Sequence, residues 1–368
     1  MKTLITLVLS LILSFTMGIV KADSSLKANF VNGDPGITSI NTMTFGPEGI
    51  LFIGDSKAAQ IIAIDLSAHQ KVDNSKVKID FLDKLIADML GAATDQVQIT
   101  DMAVNPENDN IYISVHYGAG TPILLQVDNN KLKQISLADV SYSKTNINDP
   151  VAKDAKDKRG RELRKWAVAD IRYDSGKVLL SGLSNKEFAS TFRSIDFPFN
   201  DKQSYGSLEI YHAAHGQYET HAPIKTFMTT RIKGNPHIVA GYTCTPLVVL
   251  PMDKIKPGEH HKGRTVAELG NGNTPVDMIE IENEGNRYLL IANTNRPLMK
   301  MDFADLEAYE DVLTTPITKK GATAGVAYVN LPYVNVQQLD KLDNTFLMIQ
   351  RESSGNLALK KGSAWWFQ

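Results

Sequence analysis

The chain has 368 residues, of which 43% are hydrophobic and 22% charged, and its formal net charge is −2. This composition is sufficient for a large folded core with an ordinary surface, and the near-neutral charge argues against a nucleic-acid partner. Because Cys244 is the only cysteine, no disulfide can form within the chain, and burial must hold the fold together.

The first residues have the order of a secretory signal. Lys2 is followed by an apolar run over residues 4–13, and small residues precede Asp23. The apolar run is shorter than the ~20 residues that a membrane span needs. We therefore predict a signal peptide over residues 1–22 and a single domain over residues 23–368. The protein is then periplasmic or secreted, with no membrane span after cleavage.

Short β-rich segments recur through the rest of the chain. Apolar stretches end in a hydrophobic residue followed by an aspartate at Asp65, Asp128, Asp196, Asp253 and Asp302. A second strand precedes each stretch, at 50–54, 111–115, 178–181, 237–240 and 288–292, with 346–350 as a sixth. A third strand type comes before those, at 41–45, 100–104, 169–173, 226–230, 276–280 and 337–341. Most of the strands are joined by turn residues, so the pattern predicts six repeated β units.

A fourth, outer strand fits several of these units, at residues 77–81, 132–137, 208–212 and 265–269. Four antiparallel strands repeated about every 50 residues are typical of a β-propeller. We expect an all-β, six-bladed propeller closed by N- and C-terminal strands, in which residues 26–31 supply the outer strand of the last blade. Residues 82–91 are predicted to form a short helix, and the charge-dense residues 149–165 a helical or mobile excursion.

The inner-strand and turn pattern, clearest over residues 100–115 and 275–292, resembles six-bladed propellers of the NHL and SMP-30/gluconolactonase-like kind. The resemblance covers nearly the whole chain after the signal segment and implies the same architecture. The chain lacks the opening Glu-Gly-Pro-type motif of the lactonase branch, so no catalytic residue is carried over from that branch.

The second position of each inner-strand segment should face the central channel. The six units place Thr42, Asp101, Asp170, Phe227, Asp277 and Gln338 there. Three converging carboxylates repel one another unless protons, hydrogen bonds or a cation offset the charge. Two interpretations stay open: Asp101, Asp170 and Asp277 bind a cation such as calcium, or each aspartate accepts backbone N–H bonds at its strand.

The loops between second and third strands should open on one face, around the channel mouth. They carry the candidate ligand-binding residues Asp55, His116, Tyr242, Asn293, Arg296 and Arg351. Polar and charged groups therefore predominate at the predicted entrance.

Residues 209–221 hold three of the eight histidines of the protein. If the strand ends near Ala213 and the chain turns at Gly216, then His212, His215, Glu219 and His221 can meet Cys244 of the next blade. Imidazole, carboxylate and thiolate suit a transition metal. The alternative is that the histidines are satisfied by hydrogen bonds and that the cysteine is a small buried hydrophobe.

Two function classes follow. The first is an exported propeller that binds a small molecule, a peptide or a protein partner at the loop-rich channel mouth, with or without a divalent metal ion, calcium or a transition metal. The second is a metal-dependent enzyme. A lactonase-like hydrolase would use the aspartates for the cation and His215 or His221 as base, and an oxidoreductase would use the histidines and Cys244. The sequence leaves catalysis open.

Overall fold

The fold is that of a computed structural model, which describes residues 25–367. The predicted signal peptide lies outside these residues. Six antiparallel sheets stand in a ring around a central channel, so the prediction of an all-β, six-bladed propeller is confirmed. Within residues 25–367, no helix has the length and apolar character required to cross a membrane.

We number the blades by the chain order of their innermost strands and list each blade outward from the channel. Blade 1 consists of Thr42–Phe45, Ile50–Asp55, Gln60–Asp65, Val140–Asn146 and Val31–Gly33. Blade 2 consists of Val97–Val104, Ile111–Tyr117, Thr121–Asp128 and Lys131–Ile135. Blade 3 consists of Asp170–Asp174, Lys177–Leu183, Ser190–Asp196, Gln203–His212 and Gln217–Glu219, and His260–Lys262 pairs with its fourth strand.

The other three blades follow the same plan. Blade 4 consists of Ile224–Ile232, Asn235–Tyr242, Pro246–Pro251, Arg264–Glu268 and Ala324–Gly325. Blade 5 consists of Pro275–Asn283, Asn286–Asn293, Met299–Asp302 and Val329–Asn330. Blade 6 consists of Val336–Leu342, Thr345–Arg351, Leu357–Lys361 and Lys78–Ile79.

The middle of each second strand is mostly apolar because neighbouring blades cover both of its faces. In blade 1 every residue of Ile50–Asp55 is buried. A strand buried on both faces is a continuous hydrophobic run, without the alternation of a half-exposed strand. Aromatic side chains fill the gap between blades 1 and 3, where Phe52 packs edge-on against Phe197 with ring centroids 4.7 Å apart. The core therefore lies between the blades.

Helices are few and occupy connections. The α-helices are Leu82–Leu90 and Phe303–Ala308, and the 3₁₀ helices are Thr94–Gln96, Arg164–Trp166, Met252–Lys254 and Ala364–Phe367. The first confirms the predicted helix, which ends at Gly91 in the left-handed conformation that glycine adopts readily. Residues 149–165 form no α-helix. They are tied down where Val151 N–H donates to Leu183 and Arg164 donates to the Val151 carbonyl.

The order of the blades around the ring differs from their order in the chain. Blade 2 lies between blades 1 and 6, because Asp101 accepts the N–H of Met43 and Asp340 accepts the N–H of Val104. Blade 1 in turn contacts blade 3, where the Thr42 hydroxyl donates to Asp170. The ring therefore runs 1, 3, 4, 5, 6, 2.

This order changes two predicted strand pairings. Residues 77–81 were expected as the outer strand of blade 1, but Lys78–Ile79 pairs with Leu359 and Lys360 of blade 6. The outer strand of blade 1 is instead Val140–Asn146. The expectation that residues 26–31 complete the last blade is wrong as well, because Val31–Gly33 pairs with Val140–Asn146 in blade 1. The last blade is still completed by a strand from early in the chain, because Lys78–Ile79 pairs with Leu357–Lys361.

Candidate functional site

A cluster of polar side chains lies where blade 3 meets blade 4, and we call His212, His215, Glu219 and Cys244 the rim cluster. His212 ends the fourth strand of blade 3, and the N–H groups of His215 and Gly216 donate to its carbonyl, which closes a tight turn. The next strand returns antiparallel, so that Gln217 pairs with His212. The turn places Glu219 against both imidazoles.

Glu219 bonds both histidines through the same type of ring nitrogen. Its Oε2 atom lies 3.0 Å from Nδ1 of His212, and its Oε1 atom lies 2.6 Å from Nδ1 of His215. The two rings are close together, with centroids 3.7 Å apart. Because both Nδ1 atoms are engaged, the Nε2 atoms are the ones left to face other partners.

Cys244 reaches the cluster from the loop between the second and third strands of blade 4. Its Sγ atom lies 3.9 Å from Nε2 of His215. Nε2 of His212 lies 3.3 Å from the hydroxyl of Thr245, the next residue in the same loop. One ligand atom from each of His212, His215 and Cys244 can be chosen so that all three lie within 4.8 Å of one another.

The protonation of the cluster reflects its burial and charge. Burial lowers the pKa of His212, but its interactions with Cys244 and Glu219 outweigh burial and raise the pKa to about 9. Burial raises the pKa of Glu219, yet its hydrogen bonds with His212 and His215 lower it to about 2. Glu219 is thus a stable anion that orients two imidazoles.

This donor set fits a transition metal. Histidine ligands of metals usually donate their second ring N–H to a carboxylate, which fixes the tautomer and turns the other nitrogen to the metal. Glu219 stands in that position for both histidines, and Cys244 adds a soft sulfur ligand. Of the five residues predicted to meet here, four are brought together. His221 is exposed and bonds its neighbour Thr220 instead.

Glu268 lies behind the cluster and was not singled out from the sequence. It is fully buried at the end of the fourth strand of blade 4, and its Oε2 atom accepts the N–H of Ala214 at 3.2 Å. Its Oε1 atom has no hydrogen-bond partner within residues 25–367. Burial raises the pKa of Glu268, partly offset by the positive charge of His212. The sequence did carry a signal for a buried carboxylate here, because Glu268 directly follows the apolar residues Val266 and Ala267.

The aspartates converge on the channel as predicted, with one shift. Thr42, Asp101, Asp170, Asp277 and Gln338 line the channel cavity, but the equivalent residue of blade 4 is Thr226, which pairs with Gly241. The prediction placed Phe227 at this position of blade 4 and is wrong by one residue. Thr226 follows a β-bulge, as Asp101, Asp277 and Gln338 do in their strands. Phe227 is the next residue and is fully buried between blades.

We call Asp101, Asp170 and Asp277 the ring aspartates. Each of them accepts hydrogen bonds from two backbone N–H groups. Asp170 bonds its own successor Ile171 and, across the interface, Phe227 of blade 4. Asp277 likewise bonds its own successor and Leu339 of blade 6. The carboxylates therefore join neighbouring inner strands, which is the arrangement expected if they act as strand caps.

Arg172 supplies positive charge to this ring. Its guanidinium lies 2.8 Å from Asp170 and 3.8 Å from Asp277. Burial lowers the pKa of Arg172, but the negative charges of Asp170 and Asp277 outweigh it and raise the pKa. Burial and the charge of Asp170 raise the pKa of Asp101 to about 7, and burial and the charge of Asp101 raise that of Asp277 to about 8. Protons, hydrogen bonds and Arg172 thus offset the repulsion.

Asp340 also belongs to the ring and was missed. It bonds the N–H groups of Val104 and Lys341, and burial raises its pKa to about 6. It stands two residues after Gln338, as Arg172 stands two residues after Asp170. Alternate residues of a strand share a face, so this spacing was a usable signal.

The candidate ligand-binding residues divide into two groups. Asn293 and Arg351 line a cavity of about 560 Å³ at the channel mouth. The other four are occupied within the protein, and three of them lie at the ends of second strands rather than in loops. Asp55 is fully buried and bonds Thr38 and Ser39, and His116 bonds the N–H of Ile40. Tyr242 is buried, and Arg296 donates to the carbonyl of Gly321.

No protein-family model matches the chain, and no curated protein matches it in sequence. Solved structures that match the chain include Raptor from Chaetomium thermophilum, with 12% identity and a TM-score of 0.32 over 91% of this chain and 26% of that chain. Dihydro-heme d1 dehydrogenase NirN in complex with DHE has 9% identity and a TM-score of 0.34, over 84% of this chain and 50% of that one. Drosophila Plexin A in complex with Semaphorin 1b has 9% identity and a TM-score of 0.36, over 89% and 86%.

Proposed function

We propose that this protein is an exported binding propeller that holds a transition metal ion at the rim cluster of its loop-rich face. The observation that supports this most strongly is that the Glu219 carboxylate accepts one hydrogen bond from Nδ1 of His212 and another from Nδ1 of His215. It directs two Nε2 atoms toward the loop of Cys244. A ligand, peptide or protein partner would then bind on the same face.

The donor set indicates which ions would bind. Two imidazoles and one thiolate suit zinc or copper better than calcium, which takes oxygen ligands. The side chain of His215 is 44% exposed, so a fourth coordination position would be open to solvent or to a ligand. Binding would release protons, because the metal requires a thiolate and a neutral His212.

Zinc binding tests the proposal. Equilibrium dialysis against Zn²⁺, followed by elemental analysis, should give one tightly bound ion in the wild type and none in Cys244→Ala. Glu219→Gln keeps the size of the side chain but loses the charge, and it should weaken binding by about 10- to 100-fold. His221→Ala is the matched control and should bind normally. Equal affinities for Glu219→Gln and the wild type would contradict the proposal.

A second candidate is an enzyme with Cys244 as nucleophile. It is supported by the order of the groups: Sγ of Cys244 faces Nε2 of His215, whose Nδ1 bonds a carboxylate. This is the order of nucleophile, base and orienting acid in thiol-dependent acyl transfer. If metal-free protein hydrolyses p-nitrophenyl acetate with turnover that both Cys244→Ala and zinc abolish, this reading is favoured. A metal-binding propeller without this activity would show no turnover above that of Cys244→Ala.

Kinship with NHL and SMP-30/gluconolactonase-like propellers is a further part of the proposal, supported by the repeats over residues 100–115 and 275–292. Export is supported by the signal-like order of residues 1–22. N-terminal sequencing of the protein recovered from the periplasm or medium should begin at Asp23. A mature chain that still begins at Met1 would contradict export by this signal.

A further inference from the structure

The cavity at the mouth of the channel is built by all six blades. Each blade contributes at least one polar side chain at or just before its inner strand, or at the end of its second strand: Asn41, Gln98, Lys165, Lys225, Asn293 and Arg351. The cavity has a volume of about 560 Å³. Asn293 and Arg351 end second strands, and Cys244 of the rim cluster follows the end of another, so the cavity and the cluster share one face. Ligand cavities in proteins are typically about 300–1,000 Å³, so the size suits a small molecule.

The charge of this cavity is one-sided. Its lining holds three cationic side chains, Lys165, Lys225 and Arg351, and no aspartate or glutamate. Within residues 25–367, none of the three forms an ion pair with a carboxylate. Three like charges around one cavity repel one another, and a bound anion would relieve that repulsion.

The channel beyond the mouth has a different lining. It includes Asp101, Asp170, Asp277 and Asp340 together with Arg172, Lys341 and Lys225, which lines both cavities. Cations and carboxyl groups are therefore mixed in the channel, whereas the mouth has cations alone.

The neutral side chains of the lining indicate that the ligand also carries hydroxyl groups. Asn41, Gln98 and Asn293 carry amide groups that both donate and accept hydrogen bonds, which suits hydroxyl groups. Trp166 adds an aromatic surface to the same lining. We infer that the mouth cavity binds a small hydroxyl-rich organic anion, such as a sugar carboxylate or a sugar phosphate. This rests on the binding role proposed for the loop-rich face, but not on the metal ion.

Calorimetric titration with four probes tests the inference: glucuronate, glucose 6-phosphate, glucose and glucosamine. At least one of the two anions should bind saturably and more tightly than glucose or glucosamine, and the tighter of the two tells carboxylate from phosphate recognition. Lys225→Gln should weaken that binding by about tenfold or more, since a hydrogen bond to a charged group is lost. Lys341→Gln is the matched control, because Lys341 lines the channel cavity but not the mouth cavity, whereas Lys225 lines both.

Two results would overturn the inference. Either neither anion binds more tightly than glucose, or Lys225→Gln and Lys341→Gln weaken the binding equally. Zinc binding by the same preparations is measured in parallel. Loss of the anion site with intact zinc binding refutes only this inference, and loss of zinc binding with an intact anion site refutes only the metal proposal.

Discussion

The Sγ atom of Cys244 lies 3.9 Å from Nε2 of His215, although the two residues belong to different blades. His215 is positioned by the turn after the fourth strand of blade 3, and Cys244 by the loop between two strands of blade 4. The contact therefore depends on how two neighbouring blades pack. Cys244 also has a φ angle of 84°, which is rare for a residue with a side chain.

This backbone angle gives a prediction about stability. A side chain at positive φ costs roughly 1 kcal/mol that glycine avoids. Cys244→Gly should therefore be more stable than Cys244→Ala by about 1 kcal/mol in urea unfolding. The two variants both lack the thiol, so the comparison isolates the backbone. Equal stabilities would mean that the loop does not hold this conformation in solution.

The titration of His212 follows from its buried contact with Glu219. In the metal-free protein its pKa is raised from 6.5 to about 9. Because the folded pKa lies above the unfolded one, the stability that this group contributes is complete below about pH 6.5 and is lost as the pH rises through about 9. An NMR titration of the imidazole signals should show a midpoint near 9 that falls in Glu219→Gln. A midpoint at or below 6.5 in the wild type would contradict the described hydrogen bonds.

Arg172 is expected to stabilise the propeller most at high pH. Removing one partner of a buried ion pair typically costs about 3–5 kcal/mol. Arg172→Met should show such a loss at pH 8.5, where Asp101 and Asp277 are charged. The loss should be smaller at pH 5, because folded-state pKa values raised to about 7 and 8 mean that Asp101 and Asp277 are protonated there. Thermal unfolding at both pH values measures the difference.

The control for this experiment is Arg159→Met, which removes an exposed arginine and should change the unfolding temperature little at either pH. The same large loss for Arg172→Met at pH 5 and pH 8.5 would mean that packing, and not charge, explains the effect.

The unusual blade order can be tested by cross-linking. Lys78 and Lys360 are register partners between the outer strand and the third strand of blade 6. In a Cys244→Ser background, Lys78→Cys with Lys360→Cys should form a disulfide, because partner residues of adjacent strands lie within the range that a disulfide spans. Lys78→Cys with Asp65→Cys should remain reduced. If only the second pair forms a disulfide, residues 77–81 complete blade 1, as the sequence predicted, and the described pairing with blade 6 is wrong.

The inner two strands of every blade, and the third strand of blades 1 to 5, could be predicted from the sequence because their signals are local. Each has an apolar run and a turn at fixed spacing, and the register of a hairpin follows from its turn. The outer strands could not all be assigned. Lys78–Ile79 is a two-residue strand whose partner lies almost at the other end of the chain, and no local pattern specifies such a pairing.

The candidate site was predicted to a similar extent. The density of histidines at 212–221 was sufficient to locate the rim cluster, but the side-chain partners depend on the turn at Gly216 and on the neighbouring blade. Phe227 was misplaced by one residue, because the predicted segment was started at Thr226, which itself takes the position of Asp101 and Asp277 in their strands. Arg172 was missed although it shares a strand face with Asp170.

X-ray absorption spectroscopy of the zinc-loaded protein tests the metal proposal most directly. If the rim cluster holds the ion, the first shell should contain one sulfur at about 2.3 Å and two imidazole nitrogens at about 2.0–2.1 Å. The sulfur should disappear in Cys244→Ser and remain in His221→Ala. A first shell of oxygen and nitrogen without sulfur in the wild type would show that the metal does not bind between His212, His215 and Cys244.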